Sequence, residues 1–250
     1  MKSTQDHFSR QAATYKKYRP HYPSALFDEL LAWPSHRQSC WDCGTGNGQV
    51  AQVLAQHFDQ VYATDISQKQ VDQAVAKENI SYRVERAEQT SFADDQFDLI
   101  TVAQAIHWFD FDAFNREVRR VAKPGGILAV WGYGLLRVEP EIDRLIDQFY
   151  EDVVGPYWPA ERQHIDQAYR SIPLEMNVLS EPHHLGIELQ WTLAEMEGYL
   201  NSWSSVQRYQ KQVGQNPVEP IIEQMSIHWP NGERRALRFP IFMRIGQIEK

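Results

Sequence analysis

The chain has 250 residues, of which 42% are hydrophobic and 23% charged, a composition typical of a folded globular protein. Its formal net charge of -8 repels a phosphate backbone, so a nucleic-acid partner is disfavoured. Residues 1–10 contain no apolar signal region, and the longest apolar run, 127–136, is too short to span a bilayer. We therefore expect a cytoplasmic protein without a membrane partner; its oligomeric state stays open.

Short runs rich in β-branched and aromatic residues predict five strands in the first half of the chain, at 39–43, 60–65, 80–84, 97–103 and 126–133. Between them, apolar residues recur at helical spacing over 50–58, 71–75 and 111–121. Strands that alternate with amphipathic helices at short spacing predict right-handed crossovers and a doubly wound, parallel sheet.

Local signals also predict where two of these helices begin and where one ends. Ser67 and Gln70 have the spacing of a capping box, and Asp110 or Asp112 can cap the helix over 111–121. The Lys-Pro-Gly-Gly run at 123–126 is expected to end that helix before the next strand.

After residue 134 the pattern changes. Apolar residues predict a long amphipathic helix over 142–153, followed by an irregular stretch to about residue 185 that we interpret as an insertion over the sheet. Thr192 and Glu195 have capping-box spacing, and Pro240 interrupts the last predicted strand, where proline is expected only at an edge or bulge. The remaining predicted elements are a strand at 187–191, helices at 193–211 and 218–229, and a strand at 236–246.

Two possible sites overlap between residues 40 and 48. Side chains alternate along a strand, so Cys40 and Cys43 should point to opposite faces and cannot chelate one ion. No second cysteine pair completes a zinc site, so we assign both cysteines to packing and expect no metal.

The glycines beside them favour a nucleotide site. A strand that ends near Asp42 and runs into Gly44, Gly46 and Gly48, with a helix straight after, is typical of the first turn of a nucleotide-binding sheet. A dinucleotide fingerprint places its third glycine three positions after the second, whereas these glycines are two apart.

This Asp-x-Gly-x-Gly-x-Gly run resembles the first motif of class I S-adenosylmethionine-dependent methyltransferases, and the resemblance continues for about 100 residues. It implies a Rossmann-like α/β fold: a doubly wound, seven-stranded, mostly parallel sheet with helices on both faces and a helical lid insertion. It also implies S-adenosylmethionine as the cofactor, bound at Asp42, Gly44 and Gly46.

The same resemblance implies further cofactor-binding residues. Asp65 closes the second strand, where the family uses an acid to accept both ribose hydroxyls, although nicotinamide enzymes use a similar acid. Ala87 and Glu88 fall in the adenine-side segment, and Gln104 follows the fourth strand. One departure is Arg86, where the family often has an acid, so the adenine contact falls to Glu88 or to backbone groups.

The acceptor is expected to be a small molecule. After the fourth strand the chain reads Ala-Gln-Ala-Ile-His-Trp (103–108), not the Asn/Asp-Pro-Pro-Tyr/Phe of enzymes that methylate base amines or release-factor glutamine. Segments 8–23 and 199–209 resemble small-molecule methyltransferases related to trans-aconitate methyltransferase. That resemblance places Tyr15 and Arg19 on the cofactor and the residues Tyr18, Trp108 and Trp203 on the substrate.

His107 is the candidate catalytic residue, and three roles stay open for it: general base, partner of an acceptor hydroxyl, or packing against Trp108. A carboxylate acceptor would need no base, because it is already ionised at neutral pH. In-line transfer of the methyl group to a carboxylate or hydroxyl would then depend on alignment of the acceptor oxygen, the methyl carbon and the sulfur, and on exclusion of water.

We expect one methyltransferase domain, with a segment that covers the cofactor (1–35), a cofactor-binding core (36–134), a helical lid and substrate region (135–215) and a final helix and strand that complete the sheet (216–250). Two alternatives stay open: a cofactor-binding protein without transfer activity, and a nicotinamide oxidoreductase.

Overall fold

The structure, a computed structural model, describes residues 20–250. An eight-stranded sheet lies at its centre, in the order β3-β2-β1-β4-β5-β8-β6, with β7 beside the first half of β8. Its strands are β1 Ser39–Cys43, β2 Gln60–Asp65, β3 Ile80–Val84, β4 Phe97–Ala103, β5 Ala122–Tyr133, β6 Asn177–Ser180, β7 Gly186–Trp191 and β8 Arg235–Gln247.

Helices cover both faces of this sheet and bury two apolar cores. The helices of the described chain are α1 Ser24–Leu31, α2 Gln49–Leu54, α3 Gln68–Val71, α4 Phe111–Val121, α5 Pro140–Gln148, α6 Arg162–Asp166, α7 Leu193–Asn201, α8 Ser204–Val213 and α9 Val218–Ser226. Cys40 packs in one core and Cys43 in the other, and burial raises the pKa of both thiols, so they stay protonated. The predicted opposite orientation of the two cysteines is confirmed.

The parallel half of the sheet confirms the doubly wound prediction. Strand β1 pairs in parallel with β2 on one side and with β4 on the other. The chain therefore winds outwards in both directions from the β1–β4 boundary. In such a sheet, ligands bind beyond the carboxyl ends of the strands at this switch point.

The long strand β8 closes the other half of the sheet and accommodates its proline at a change of partner. Residues 235–240 pair antiparallel with β7, and residues 241–247 pair antiparallel with β5. Pro240 lies at the junction, where its carbonyl accepts a hydrogen bond from the Gly134 N–H at 2.9 Å. The predicted last strand is confirmed, and it pairs with β7 up to the proline and with β5 after it.

The seven-strand prediction is one strand short, because the irregular stretch before residue 185 contains β6. This four-residue strand lies at the sheet edge, and its neighbours Val178 and Leu179 are both exposed. An edge strand without alternation between buried and exposed residues gives no period-two signal.

Some predicted helix details are also wrong. Helix α3 ends at Val71, and the Ser67 side chain makes no capping hydrogen bond although Ser67 is the N-cap. The helix predicted over 142–153 ends at Gln148 and continues as a wider π turn, Phe149–Val153. Strand β5 begins at Ala122, so the Lys-Pro-Gly-Gly run lies within the strand and not before it.

Other capping predictions are confirmed. The Asp110 carboxylate accepts from the Ala113 N–H at 3.0 Å at the start of α4. At the start of α7 the Thr192 side chain accepts from the Glu195 N–H, and the Glu195 carboxylate accepts from the Thr192 N–H. Within residues 20–250, no helix is long and apolar enough to cross a bilayer.

Thr192→Ala should lower the free energy of unfolding by about 1 kcal/mol, because it removes the side-chain acceptor that caps α7. Chemical denaturation followed by circular dichroism measures the change. Ser24→Ala is the matched control, since Ser24 is exposed and is the first residue of α1, after its N-cap Pro23. Equal stability losses in the two variants would contradict the capping role of Thr192.

Candidate functional site

The glycine turn lies directly after β1, at the switch point of the sheet. Gly44, Gly46 and Gly48 have φ values of +69°, +57° and +82°, in the left-handed region that side chains disfavour. A Cβ on Gly44 would come within 2.6 Å of the Ala105 Cβ, and a Cβ on Gly48 would collide with the Tyr82 side chain. Both backbone conformation and space therefore require glycine here.

Asp42 lies beneath this turn and holds it in shape. Its Oδ2 accepts from the Thr45 hydroxyl at 2.6 Å and from the Ala51 N–H at 3.1 Å. Its Oδ1 accepts from the Thr101 hydroxyl at 3.0 Å, which ties β1 to β4. Burial raises the pKa of Asp42 to about 6, against the opposing effect of these hydrogen bonds.

Asp65, at the end of β2, is joined to the same turn. Its Oδ2 accepts from the Gly46 N–H at 2.8 Å, and its Oδ1 accepts from the Ser67 N–H at 2.9 Å. A carboxylate at the end of the second strand, beside the glycine turn, is a suitable acceptor for a pair of ligand hydroxyls. The geometry fits the ribose of a nucleoside.

A narrow cleft opens above the turn. It is lined by Tyr22, Asp42, Gly44, Thr45, Asn47, Gln49, Val50 and Ala103. Gly44 contributes bare backbone to this lining, where a ligand can approach without meeting a Cβ. The turn and cleft therefore form a cradle suited to the amino-acid end of a nucleoside cofactor.

The predicted adenine-side segment connects to the loop after β4. Ala87 is buried, and Glu88 accepts from the Asp110 N–H at 3.1 Å. Arg86, the departure from the family pattern, lies 3.3 Å from Glu88 as an ion pair. The side chain of Glu88 is thus held between two loops at the cofactor side of the site.

The loop after β4 contains a strained residue. Gln104 has a φ of +54°, which is uncommon for a residue other than glycine. Its side-chain amide donates to the Tyr133 carbonyl at 3.2 Å, at the end of β5. Such strain persists where surrounding structure enforces it, often at functional sites.

His107 is buried in this loop and stays neutral. Its ring lies 5.0 Å from the Trp108 ring and 5.9 Å from the Tyr169 ring, and its Nδ1 is 3.0 Å from the Tyr169 hydroxyl oxygen. Burial, with smaller contributions from the charges of Arg162 and His164, lowers the pKa of His107 to about 3. Protonating this ring at pH 7 would cost roughly 5 kcal/mol, so His107 is a poor general base.

A cavity of about 140 Å³ lies beside His107. Five of its thirteen described lining residues are Trp or Tyr, and these include Trp108 and Trp203, both predicted to contact substrate. The described lining residues are Gln104, His107, Trp108, Tyr133, Trp158, Pro159, Arg162, Ile165, Tyr199, Ser202, Trp203, Ser204 and Arg208. None of these described residues is acidic, whereas two are arginines.

Arg162 is fixed within this aromatic wall. Its guanidinium carbon lies 4.7 Å from the centre of the Trp158 ring, and its Nε donates to the Tyr150 hydroxyl at 2.8 Å. Burial alone would lower the pKa of Arg162, but Tyr150 and Asp166 raise it above its ordinary value, so it stays charged. Within the described chain its Nη groups make no hydrogen bond.

The structure brings Asp42, Gly44, Gly46, Asp65, Ala87, Glu88 and Gln104 to one edge of the sheet, next to the cavity with His107, Trp108 and Trp203. The predicted residues Tyr15, Tyr18 and Arg19 lie outside the described residues. Sequence reasoning missed Arg162 and Tyr169, because α6 has five residues and the segment around it lacks helical periodicity. No cluster of three metal-ligating side chains occurs within residues 20–250.

Comparisons with known proteins agree with this geometry. A family model described as a methyltransferase domain matches residues 41–130. The chain is 30% identical over 257 aligned positions to a candidate methyltransferase of Dictyostelium discoideum, covering 98% of this chain and 95% of that protein. It is 23% identical to a candidate S-adenosylmethionine-dependent methyltransferase of Saccharomyces cerevisiae, covering 87% of this chain and 86% of that protein.

Among solved structures, a candidate type II methyltransferase from Anaeromyxobacter dehalogenans superimposes with a TM-score of 0.85 and 37% identity, covering 92% of this chain and 98% of that chain. The matched methyltransferase family model, together with the near-complete coverage of the Dictyostelium discoideum and Anaeromyxobacter dehalogenans proteins, argues against a nicotinamide oxidoreductase. The cofactor of this site is S-adenosylmethionine. The chain therefore belongs to the class I S-adenosylmethionine-dependent methyltransferases.

Proposed function

We propose that this methyltransferase transfers the methyl group to the carboxylate of a small organic molecule. The observation that supports this acceptor is the charge of the cavity. Arg162 and Arg208 line it, and its described lining contains no acidic side chain, although the chain as a whole has a net charge of -8. A local positive site in an acidic protein favours an anionic ligand.

For the cofactor, we propose that the backbone of Gly44 and Gly46 contacts the methionine end and that Asp65 accepts from the ribose hydroxyls. Asp42 would act as a positioning residue, since its own hydrogen bonds go to Thr45, Ala51 and Thr101. Ala87 and Glu88 would contact the adenine side, and Gln104 would lie between the cofactor and the acceptor cavity.

The bound cofactor would supply an electrophilic methyl group on a positively charged sulfur. An acceptor oxygen would form a bond to the methyl carbon in line with the carbon–sulfur bond, which breaks as the neutral demethylated cofactor leaves. A carboxylate is ionised at neutral pH, so no proton has to leave before the reaction. A hydroxyl acceptor would need a base. The low pKa of His107 disfavours that role, and no described lining residue is a carboxylate. The contents of the site thus favour a carboxylate over a hydroxyl.

The aromatic wall would position the acceptor and exclude water from it. Trp108 and Trp203 both line the cavity, and the Trp203 ring lies 5.5 Å from the Trp158 ring. Removing water strengthens the attraction between a guanidinium and an anion. We therefore assign substrate binding to these aromatic residues and to the region 135–215.

Several further expectations belong to the same proposal. We propose that segment 1–35 covers the cofactor, with Tyr15 and Arg19 on the cofactor and Tyr18 on the acceptor. Residues 36–134 would form the cofactor core, and residues 216–250 would complete the sheet. A cytoplasmic location and the lack of a nucleic-acid partner remain predictions from composition.

Asp65→Ala should weaken binding of the demethylated cofactor by about tenfold or more, because a charged acceptor for two hydroxyls is lost. Isothermal titration calorimetry measures the dissociation constant. Asp72→Ala is the matched control, since Asp72 lies exposed at the end of neighbouring α3 and bonds to the Gln68 side chain. Unchanged affinity in Asp65→Ala would remove the ribose assignment.

Arg162→Gln should lower kcat/KM for carboxylate acceptors by about tenfold to a hundredfold, because a hydrogen-bonded charge partner is lost, while cofactor affinity stays the same. Mass spectrometry can detect methyl esters formed from a panel of small aromatic and aliphatic carboxylic acids with labelled cofactor. Arg170→Gln is the control, since Arg170 is exposed on the same segment. Methylation of alcohols or amines in place of acids would contradict the proposal.

The pH profile gives an independent test. With a carboxylate acceptor, kcat should stay constant between about pH 7 and pH 8.5. Over this range Asp42, with a pKa of about 6, and His107, with a pKa of about 3, have both lost their protons. A steady rise of kcat with pH over this range would indicate instead that an acceptor proton must be removed.

A further inference from the structure

Tyr169 occupies a strained position between α6 and β6. Ala168 and Tyr169 have φ values of +51° and +59°, two consecutive non-glycine residues in the left-handed region. Such a conformation costs free energy and persists only where surrounding contacts enforce it. The side chain of Tyr169 is fully buried.

Contacts with β8 hold this strained segment in place. The Tyr169 ring lies edge-on to the Phe242 ring at 5.0 Å. The Arg244 Nη1 donates to the carbonyls of Tyr169 at 3.1 Å and Ile172 at 3.0 Å. The Tyr169 N–H also donates to the His164 carbonyl at 2.8 Å. The backbone is therefore anchored on the sheet, and the phenol is directed at the Nδ1 of His107.

We propose that Tyr169 is a positioning residue that holds His107 in the tautomer with its proton on Nε2, so that His107 donates a hydrogen bond to the acceptor and takes no proton from it. This inference rests on the proposed function for the identity of the acceptor. The tautomer itself can be tested without any acceptor.

The chemistry of the pair supports this direction of the hydrogen bond. A phenol is a good donor, and the unprotonated nitrogen of a neutral imidazole is a good acceptor, so the 3.0 Å contact supports donation from the Tyr169 O–H to Nδ1. The proton of the neutral ring then lies on Nε2. Within the described chain, Nε2 makes no hydrogen bond, and His107 lines the cavity. In the proposed tautomer, the Nε2 N–H is available to a ligand there.

The charges around His107 favour the same state. The groups that face the ring are Arg162 and His164 from α6, Trp108 from its own loop and Tyr169 from the strained segment. The Arg162 charge opposes formation of an imidazolium, and no described carboxylate lines the cavity to stabilise one. The cavity therefore presents donors from His107, Arg162 and Arg208, which matches an anionic oxygen.

Nitrogen NMR of protein with ¹⁵N-labelled histidine tests the tautomer directly. In the full-length wild type, the His107 Nδ1 should give the signal of an unprotonated nitrogen and Nε2 that of a protonated one, from about pH 5 to pH 8. Tyr169→Phe keeps the packing but removes the hydroxyl, so a mixture of tautomers should appear. Tyr62→Phe is the control, because Tyr62 packs remotely against Phe92 and Phe97. A protonated Nδ1 in the wild type would overturn the proposal.

Kinetics with the carboxylic acid panel give the second readout. His107→Gln offers an N–H donor near the position of Nε2, so it should stay within about fivefold of wild-type kcat/KM, whereas His107→Ala should lose about tenfold or more. Tyr169→Phe should lower kcat/KM for the acceptor and leave cofactor affinity unchanged. Equal losses in the Gln and Ala variants would contradict a donor role. A correct tautomer without transfer to any acid would instead overturn the proposed acceptor class alone.

Discussion

The site depends on the hydrogen bond from the Gly46 N–H to the Asp65 carboxylate, which joins the turn after β1 to the end of β2. That contact is possible only because the glycine turn adopts left-handed backbone conformations directly at the switch point of the sheet. Asp42 supports the turn from below through three hydrogen bonds, one of which reaches Thr101 on β4. Three adjacent strands are thereby linked around one cofactor cradle.

The cavity proposed for the acceptor is formed by a different part of the chain. It uses the long connection between β5 and β8, whose short helices and aromatic residues cover the carboxyl end of the sheet. Arg162 is kept charged inside this cover by Tyr150 and Asp166, while His107 is kept neutral by burial and by the Arg162 charge. The Arg162 charge thus adds to the effect of burial in keeping His107 neutral, and under the proposed function the same charge attracts an anionic acceptor.

The sequence predicted the glycine turn and the parallel strands beside it, because their signals are local. The glycine turn and the five parallel strands each appear within a few residues of sequence, and the cysteines were correctly assigned to opposite faces. The acceptor half was harder to predict. Tyr169 meets His107 across 62 residues, and the backbone strain that directs it has no sequence pattern. Strand β6 was missed for a related reason, since its side chains show no alternation.

A crystal structure of the wild-type protein with the demethylated cofactor and a small carboxylate would test the central claim most directly. The account predicts the ribose hydroxyls on Asp65, the sulfur facing the cavity beside Gln104, and the carboxylate between Arg162 and the Nε2 of His107. A cofactor sulfur directed away from this cavity, or a carboxylate bound elsewhere while Arg162 stays without a ligand, would contradict it.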